Sequence, residues 1–496
     1  MLALLLSCLG LAAAAETSFS ILRDASNERV SRGQAPSARA DNFTFLDNGI
    51  IRLGIDLSRG GTIGWLGPSS DPALSLLNVH DYGRSVQGSF YSGPQVFNPD
   101  GKCSEPGGWG RPWAWNPIGS GDVYLHAAPI LNYSIAPDGA SAIVWTLPLQ
   151  WACDNVPCDC TFEQHISLNG AAAEVTLTMH TARADKTFYP GQTQELPAVY
   201  VTGDYCHLFT YNETAPWTGA PLAEQPAVWG VNAWDAFLSS ERWMAFVNAS
   251  GYGVGVVSPF VSRFGAGFFD NGKVGTYNCT PKGLGPYDSP TGYIAPWGAE
   301  IIDPTAPYTY SFALVLGQLA SIRAYAAAQH AAARDAPLAP HYAFTATASR
   351  AHCVYSDAED GGLPPSPGGL ALRVTGPHPA LIGPETVFPT TSVAAVLVNV
   401  SFAAALPQPV PAQALLWWTP LGSGAPCAQC VAGAPLVADG AFHVLRFELA
   451  GVAAWAGAVS RVEFQPLGAA PVDAGAYAGL TVCVVDSVTS VASASE

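Results

Sequence analysis

Apolar side chains recur at every second position along much of this chain. Ile51, Leu53, Ile55 and Leu57 alternate with Arg52, Gly54 and Asp56, and Val175, Leu177 and Met179 alternate with Thr176 and Thr178. Tyr308, Tyr310, Phe312 and Leu314 repeat the pattern. A period of two is that of a strand with one buried face. Gly/Pro/Asn/Asp clusters, as at 98–112 and 283–291, separate the runs. The 50 Gly and 41 Pro among 496 residues exceed one in six, too many helix breakers for a bundle. Strands do not alternate with helices, which disfavours a parallel α/β sheet. The chain reads as all-β and antiparallel.

One helix stands out, from about Leu319 to Arg334. It is Ala-rich, carries Leu319, Ile322 and Tyr325 on one face, and is stopped by the prolines of DAPLAP at 335–340. A domain boundary is expected there, with the first domain at 16–335 and the second at 341–490. Strands resume at 393–402, 413–418, 442–449, 459–465 and 479–486. In 442–449, Leu445, Phe447 and Leu449 face inward and Arg446 and Glu448 outward. Five or more strands in about 150 residues, with the end strands neighbours, suit a jelly-roll sandwich. The Ala/Pro stretches 403–412 and 423–435 read as surface loops. Trp417 and Trp418 are adjacent, so at most one lies on a given face.

Residues 2–15, LALLLSCLGLAAAA, have the apolar core and small-residue end of a signal peptide, so export is expected after removal of 1–15. The run is shorter than the roughly 20 apolar residues of a spanning helix. A net charge of −17 repels phosphate backbones and anionic lipid heads, which argues against nucleic-acid partners and membrane insertion. Beyond Cys8 there are six cysteines before the boundary (103, 153, 158, 160, 206, 279) and four after it (353, 427, 430, 483). Even numbers suit disulfides in an oxidising compartment, with Cys353 and Cys483 placed to staple the second domain's terminal strands. Cys427-x-x-Cys430 and Cys158-x-Cys160 lack a second pair at zinc spacing, so no metal or other cofactor is expected. Six Asn-x-Ser/Thr sequons are compatible with glycosylation.

Two stretches bear a resemblance. NGIIRLGIDLSRGGTIGWLGP at 48–68 with LLNVHDYGRSVQGSFYSGP at 76–94 resembles the opening of galactose-mutarotase-like β-supersandwich proteins. QELPAVY at 194–200 and ERWMAFVNASGYGVGVVSP at 241–259 extend the likeness across roughly 45–325. QALLWWTP, DGAFHVLRFELAG, AWAGAVSRVEFQPLG and LTVCVVDSV are similar to β-sandwich modules appended to secreted carbohydrate-active enzymes. The first resemblance implies a fold that hosts sugar epimerases and domains of polysaccharide lyases and glycoside hydrolases. Its epimerases use a His acid, usually followed by Pro. Here His-Pro occurs only at His378-Pro379, in the second domain, so simple aldose epimerisation is disfavoured.

Carbohydrate chemistry needs a proton donor, a base or nucleophile, hydroxyl-reading groups and aromatic faces. His80, Asp81, Arg84, Gln87 and Tyr91 supply these types within twelve residues. Asp81 would brace Arg84, or the pair would simply tie a loop to the sheet. Glu195, at the mouth of the strand Ala198–Val201, is a general acid or base, or a turn residue. Glu241 is an acid, an ion-pair partner or an edge residue. Glu163 and His165 share one strand face and are more simply cross-strand partners. Trp109, Trp113, Trp115 and Asn116 form a sugar-stacking wall or a buried aromatic loop. The run Asp357, Glu359, Asp360 lacks calcium-loop spacing and reads as a solvated linker. Gly-x-Ser-x-Gly, P-loop and His-Glu-x-x-His motifs are missing from the sequence. The expectation is an exported protein with a polysaccharide or oligosaccharide partner that cleaves its glycan by hydrolysis or β-elimination. The alternative is a non-catalytic extracellular glycan binder.

Overall fold

The structure, a computed structural model, describes residues 43–94, 96–103, 115–226, 228–229, 235–269, 275–276, 285–304, 306–332, 340–365 and 368–493. The signal-peptide segment 1–15, Trp109, Trp113 and Cys279 lie outside them. The alternating runs form strands as their period requires. Phe43–Asp47, Ile51–Asp56, Thr62–Pro68, Val86–Ser89, Gln192–Thr202, Thr291–Glu300 and Arg263–Phe269 lie side by side in one twelve-stranded sheet. Behind it is a nine-stranded sheet in the order Ala223–Gln225, His207–Thr210, Trp243–Val247, Tyr252–Val257, Tyr308–Gln318, Ala172–Thr181, Cys160–Asn169, Ser141–Thr146 and Ile130–Ile135.

The two sheets close on one core. Leu53, Phe90, Val199, Val201, Ile294 and Phe264 come from the first, and Phe162, Val175, Leu177, Phe312 and Leu314 from the second. The Arg59-Gly60-Gly61 turn packs closely on the nine-stranded sheet: Gly61 has φ +70°, and a Cβ there would fall 2.4 Å from Val144 Cγ1. The helix spans Leu319–Ala332 and buries Ile322 and Ala326 on the outer face of the nine-stranded sheet, against Trp243, Ala245 and Val257.

The second domain is a smaller sandwich. One sheet runs Ala358–Glu359, Leu370–Val374, Thr481–Ala492, Val393–Phe402, Phe442–Glu448, with His341–Ala343 beside Thr481–Ala492. The other runs Val354–Ser356, Ala380–Ile382, Ala458–Gln465, Gln413–Pro420, Val431–Pro435. The first and last strands of the domain are therefore neighbours. Leu445, Phe447 and Leu449 are buried while Arg446 and Glu448 are exposed. Trp418 is in the core and Trp417 on the opposite face, its indole donating to Gln465 (2.9 Å). The fold is all-β, a supersandwich and a jelly-roll sandwich joined by one helix.

Three expectations are corrected. The stretch 423–435 is not all loop: Val431–Pro435 pairs with the strand Gln413–Pro420 at the sheet edge, where proline is tolerated. The acidic run is not a solvated linker. Asp360 is buried, accepting from Arg350 Nε (2.6 Å) and Nη2 (2.8 Å) and from Tyr355, and Glu359 pairs with Arg373. Cys353 and Cys483 do not staple the terminal strands; both are buried free thiols.

The disulfides found are Cys103–Cys153, Cys158–Cys160 and Cys427–Cys430, and Cys206 is also disulfide-bonded. Burial pushes both free thiols up, away from thiolate. Alkylation under native conditions is therefore expected to spare Cys353 and Cys483, while denaturant makes both react. Recovery of a Cys353–Cys483 disulfide peptide by non-reducing mapping would overturn this.

The two sandwiches meet through charged side chains. Arg350 also reaches Asp303 of the first domain (3.0 Å), and His352 bonds Glu300 (2.7 Å) while stacking on Phe260 (3.8 Å between ring centres). Glu385 grips Arg263, and the Ser262 amide donates to the Glu385 carbonyl (2.8 Å).

Candidate functional site

The site is built on the outer face of the twelve-stranded sheet. In Gln192–Thr202, Leu196, Val199 and Val201 point into the core. A register irregularity between Glu195 and Val199, around Pro197, leaves Glu195, Ala198 and Tyr200 on the outer face. Cross-strand pairing then sets their neighbours. Glu195 lies opposite Ser89 on one side and Trp297 on the other, and Tyr200 lies opposite Tyr293. The pairing of Phe264 with Pro296 brings Arg263 beside Trp297. Directly paired residues share a face, so Ser89, Glu195, Trp297 and Arg263 form a row across four strands. Trp297 lies so close over Gly265 that a Cβ there would sit 1.9 Å from the indole.

Glu195 is the centre of this face. Tyr91 donates to its Oε2 (3.2 Å) and Tyr293 to its Oε1, while Trp297 Nε1 donates to the Tyr293 hydroxyl (3.3 Å). Burial pushes the carboxyl up; hydrogen bonds from Ser89, Tyr293 and Tyr91 pull it down, and the net shift is upward. The residue as a whole nevertheless retains partial exposure. Tyr91 is clamped in place by Gln194, whose Oε1 accepts from the Tyr91 amide (2.6 Å) and whose Nε2 donates to the Tyr91 carbonyl (2.6 Å). Burial and the Glu195 charge push the phenols of Tyr91, Tyr200 and Tyr293 well up. The Tyr200 amide donates to the Ser85 carbonyl (3.0 Å), which sets Tyr200 beside the 80–91 segment. A carboxyl that keeps its proton beyond the ordinary range, on a partly exposed residue and a face of three phenols and an indole, is equipped to donate that proton to a sugar oxygen.

The other sequence candidates divide sharply. Tyr91 joins Glu195. Asp81, half exposed, caps Gly83 and pairs with Arg84 (3.3 Å). His80 is partly exposed, its Nδ1 bonded to the Tyr287 carbonyl (2.7 Å). Arg84 is buried and donates to Asn78 Oδ1 (3.0 Å) and to the Asp288 and Ser289 carbonyls (3.3 and 2.7 Å), tying the loop rather than a ligand. Gln87 spends its amide on the Arg84 carbonyl and the Ser120 amide. Trp115 is 1% exposed, its indole bonded to Asp159, so it offers no face to a sugar. Asn116 is equally buried and holds the Phe90 carbonyl (2.7 Å).

Glu241 is placed away from Glu195, against the helix. Both its oxygens accept from Arg323 (2.8 Å each), and the Trp217 amide and Trp243 indole complete the set. Burial pushes its carboxyl up, but those bonds outweigh it and the net shift is down, which suits a structural ion pair and not an acid. Glu163 bonds His165 (2.6 Å) and His180 (2.9 Å) on the other sheet. Sequence reasoning missed Ser89, Gln194, Tyr200, Tyr293 and Trp297. The spacing Tyr293-x-Ala295-x-Trp297 was the available signal, since it puts two aromatics on one strand face.

With its donors committed to Asn78 and the 288–289 backbone, Arg84→Ala is expected to cost stability, about 1.5–3 kcal/mol for charged hydrogen bonds. The folded fraction should keep its specific activity or glycan binding. A normal melt with weakened glycan binding would instead put Arg84 on the ligand.

No family model and no curated protein matches the chain. Comparison with solved structures gives matches of low identity. A galactose mutarotase-related enzyme from Lactobacillus acidophilus is 11% identical, with a TM-score of 0.34, covering 55% of this chain and 97% of its own. A polysaccharide lyase is 10% identical, with a TM-score of 0.32, covering 84% of this chain and 43% of its own. A xylan-binding module from Roseburia intestinalis is 16% identical, with a TM-score of 0.19, covering 28% of this chain and 86% of its own. Likeness of this degree leaves the chemistry to the side chains.

Proposed function

We propose that this is a carbohydrate-active protein that cleaves a polysaccharide on the outer face of its twelve-stranded sheet, with Glu195 as the proton-transferring group. The observation that carries the reading is Glu195: its carboxyl is raised by burial and held by two phenols, yet the residue is still partly exposed. Tyr200, partly exposed, supplies apolar ring surface for a sugar face beside it, while Trp297 is buried and backs the site from within. Asp81, partly exposed and near enough for its charge to raise the Tyr200 phenol, is the second carboxylate of this reading, as base or charge stabiliser. Hydrolysis uses the Glu195 proton on the leaving oxygen; β-elimination at a uronate uses it in the same place, with the second group removing the C5 proton.

A screen of the purified protein against a polysaccharide panel, reading new reducing ends and unsaturated uronates separately, tests this. New reducing ends alone mark a hydrolase, and both signals together mark a lyase. Binding without either product supports the non-catalytic glycan binder instead. Neither product nor binding rejects the carbohydrate reading.

A further inference from the structure

On the opposite side of the sandwich, a cavity of about 770 Å³ lies between the nine-stranded sheet and the helix Leu319–Ala332. That volume is within the range of ligand sites. Its floor carries hydroxyls: Thr176 and Ser311, 2.9 Å apart on paired strands, with Ser141 and Ser167 paired beyond them. Tyr325 of the helix overhangs this floor and donates to Glu174 (2.9 Å). Trp217 and His330 stack face to face, 4.3 Å apart and within 8° of parallel, as an aromatic wall.

Arg242 is the cation on the cavity wall, and Glu174 and Glu241 are the carboxylates among its lining residues. The Arg242 backbone has φ +54°, a region L side chains rarely adopt. Its guanidinium is pressed among the Pro259 carbonyl, His330 Nδ1 (3.1 Å) and the Trp217 ring (5.9 Å). Among the described residues no carboxylate lies within ion-pairing distance of it. Burial pushes its pKa down. The adjacent Glu241 is neutralised by Arg323. A partly exposed guanidinium with no carboxylate partner among the described residues, at the wall of a cavity in a chain of net charge −17, is placed to take up an anion.

We propose that this cavity binds an anionic oligosaccharide, Arg242 taking a carboxylate or sulfate group of the sugar while the hydroxyl floor and the Trp217–His330 wall hold the rings. A planar guanidinium matches either oxyanion with paired donors. The site is separate from Glu195 and does not depend on the proposed cleavage.

The test uses the full chain and calorimetry with three probes of equal length: an oligogalacturonate, a sulfated oligosaccharide and a neutral cello-oligosaccharide. One anionic probe is expected to bind more tightly than the neutral one, with affinity falling as salt rises. Arg242→Gln should weaken that binding by about ten- to a hundredfold, the worth of a charged hydrogen bond. Because Arg242 is packed, Ser311→Trp provides the control: it fills the floor from a partly exposed position and should abolish binding with the melting temperature unchanged. Glu195→Gln should leave this binding intact. The carboxylate and sulfate arms distinguish the two anion sources. Equal binding of the neutral probe, no binding of either anion, or anion binding that survives both cavity variants would overturn the proposal.

Discussion

Glu195→Gln is expected to lower kcat on the cleaved polysaccharide by about 10²–10⁴-fold, the usual range for a lost general acid or base. KM should change little, because the amide keeps the shape and the hydrogen-bond acceptor. The protein should not be less stable at neutral pH. Burial raises the folded pKa of Glu195 above its unfolded value, so the folded state binds more protons across that interval. Stability from this group is complete below the ordinary value of about 4.5 and declines as pH rises through the folded pKa. The glutamine variant should lose that slope. Activity that needs the protonated acid should fall on the same rising limb. Tyr293→Phe removes a bond that favours the carboxylate, so it should move the limb to higher pH. Full kcat in Glu195→Gln would remove this residue from the chemistry.

Arg350→Met is the substitution with the largest expected loss of stability, about 3–5 kcal/mol. Arg350 is the only cation bonded to the buried pair Asp360 and Asp303 among the described residues, and methionine fills its volume without its charge. Two carboxylates would then stay buried without the cation, Tyr355 and backbone amides remaining among their donors. Adding Asp303→Asn and Asp360→Asn should recover much of the loss, whereas a packing defect would persist. Chemical denaturation of the single and triple variants separates the two. The same contact changes what to expect of a chain cut at Arg334. Asp303, Glu300 and Arg263 lose their partners across the boundary, so the first domain alone should melt earlier than the intact protein.

The strands were legible where one face is buried, as the alternation at 175–179 and 442–449 shows; Ile51–Asp56 kept the alternation in sequence although Gly54 and Asp56 are buried as well. The site was legible only where polarity marked it. Glu195 and Tyr91 are conspicuous beside apolar neighbours, but their meeting depends on pairing Gln192–Thr202 with Val86–Ser89, across a hundred residues of sequence. Thr291–Glu300 offered only the Tyr293-x-Ala295-x-Trp297 spacing, and because the strand is buried on both faces and contains Pro296, those two aromatics did not stand out. Trp115, Asn116, Gln87 and Arg84 are the opposite case. Side chains suited to sugars are equally suited to tying loops, and only burial distinguishes the two uses. Glu241 is ambiguous for the same reason, because its partner Arg323 lies 82 positions away.

The row Ser89, Glu195, Trp297, Arg263 behaves as a ruler. Its marks sit on four adjacent strands, so their separation is set by the backbone ladder at about 4.8 Å per step, and the whole row is about 14 Å long. No substitution of side chains can stretch or compress that scale without breaking the sheet. Lineages carrying this fold can change what each mark touches, but the interval between contacts is inherited. Glu385, reaching from the second domain to hold Arg263, fixes the last mark.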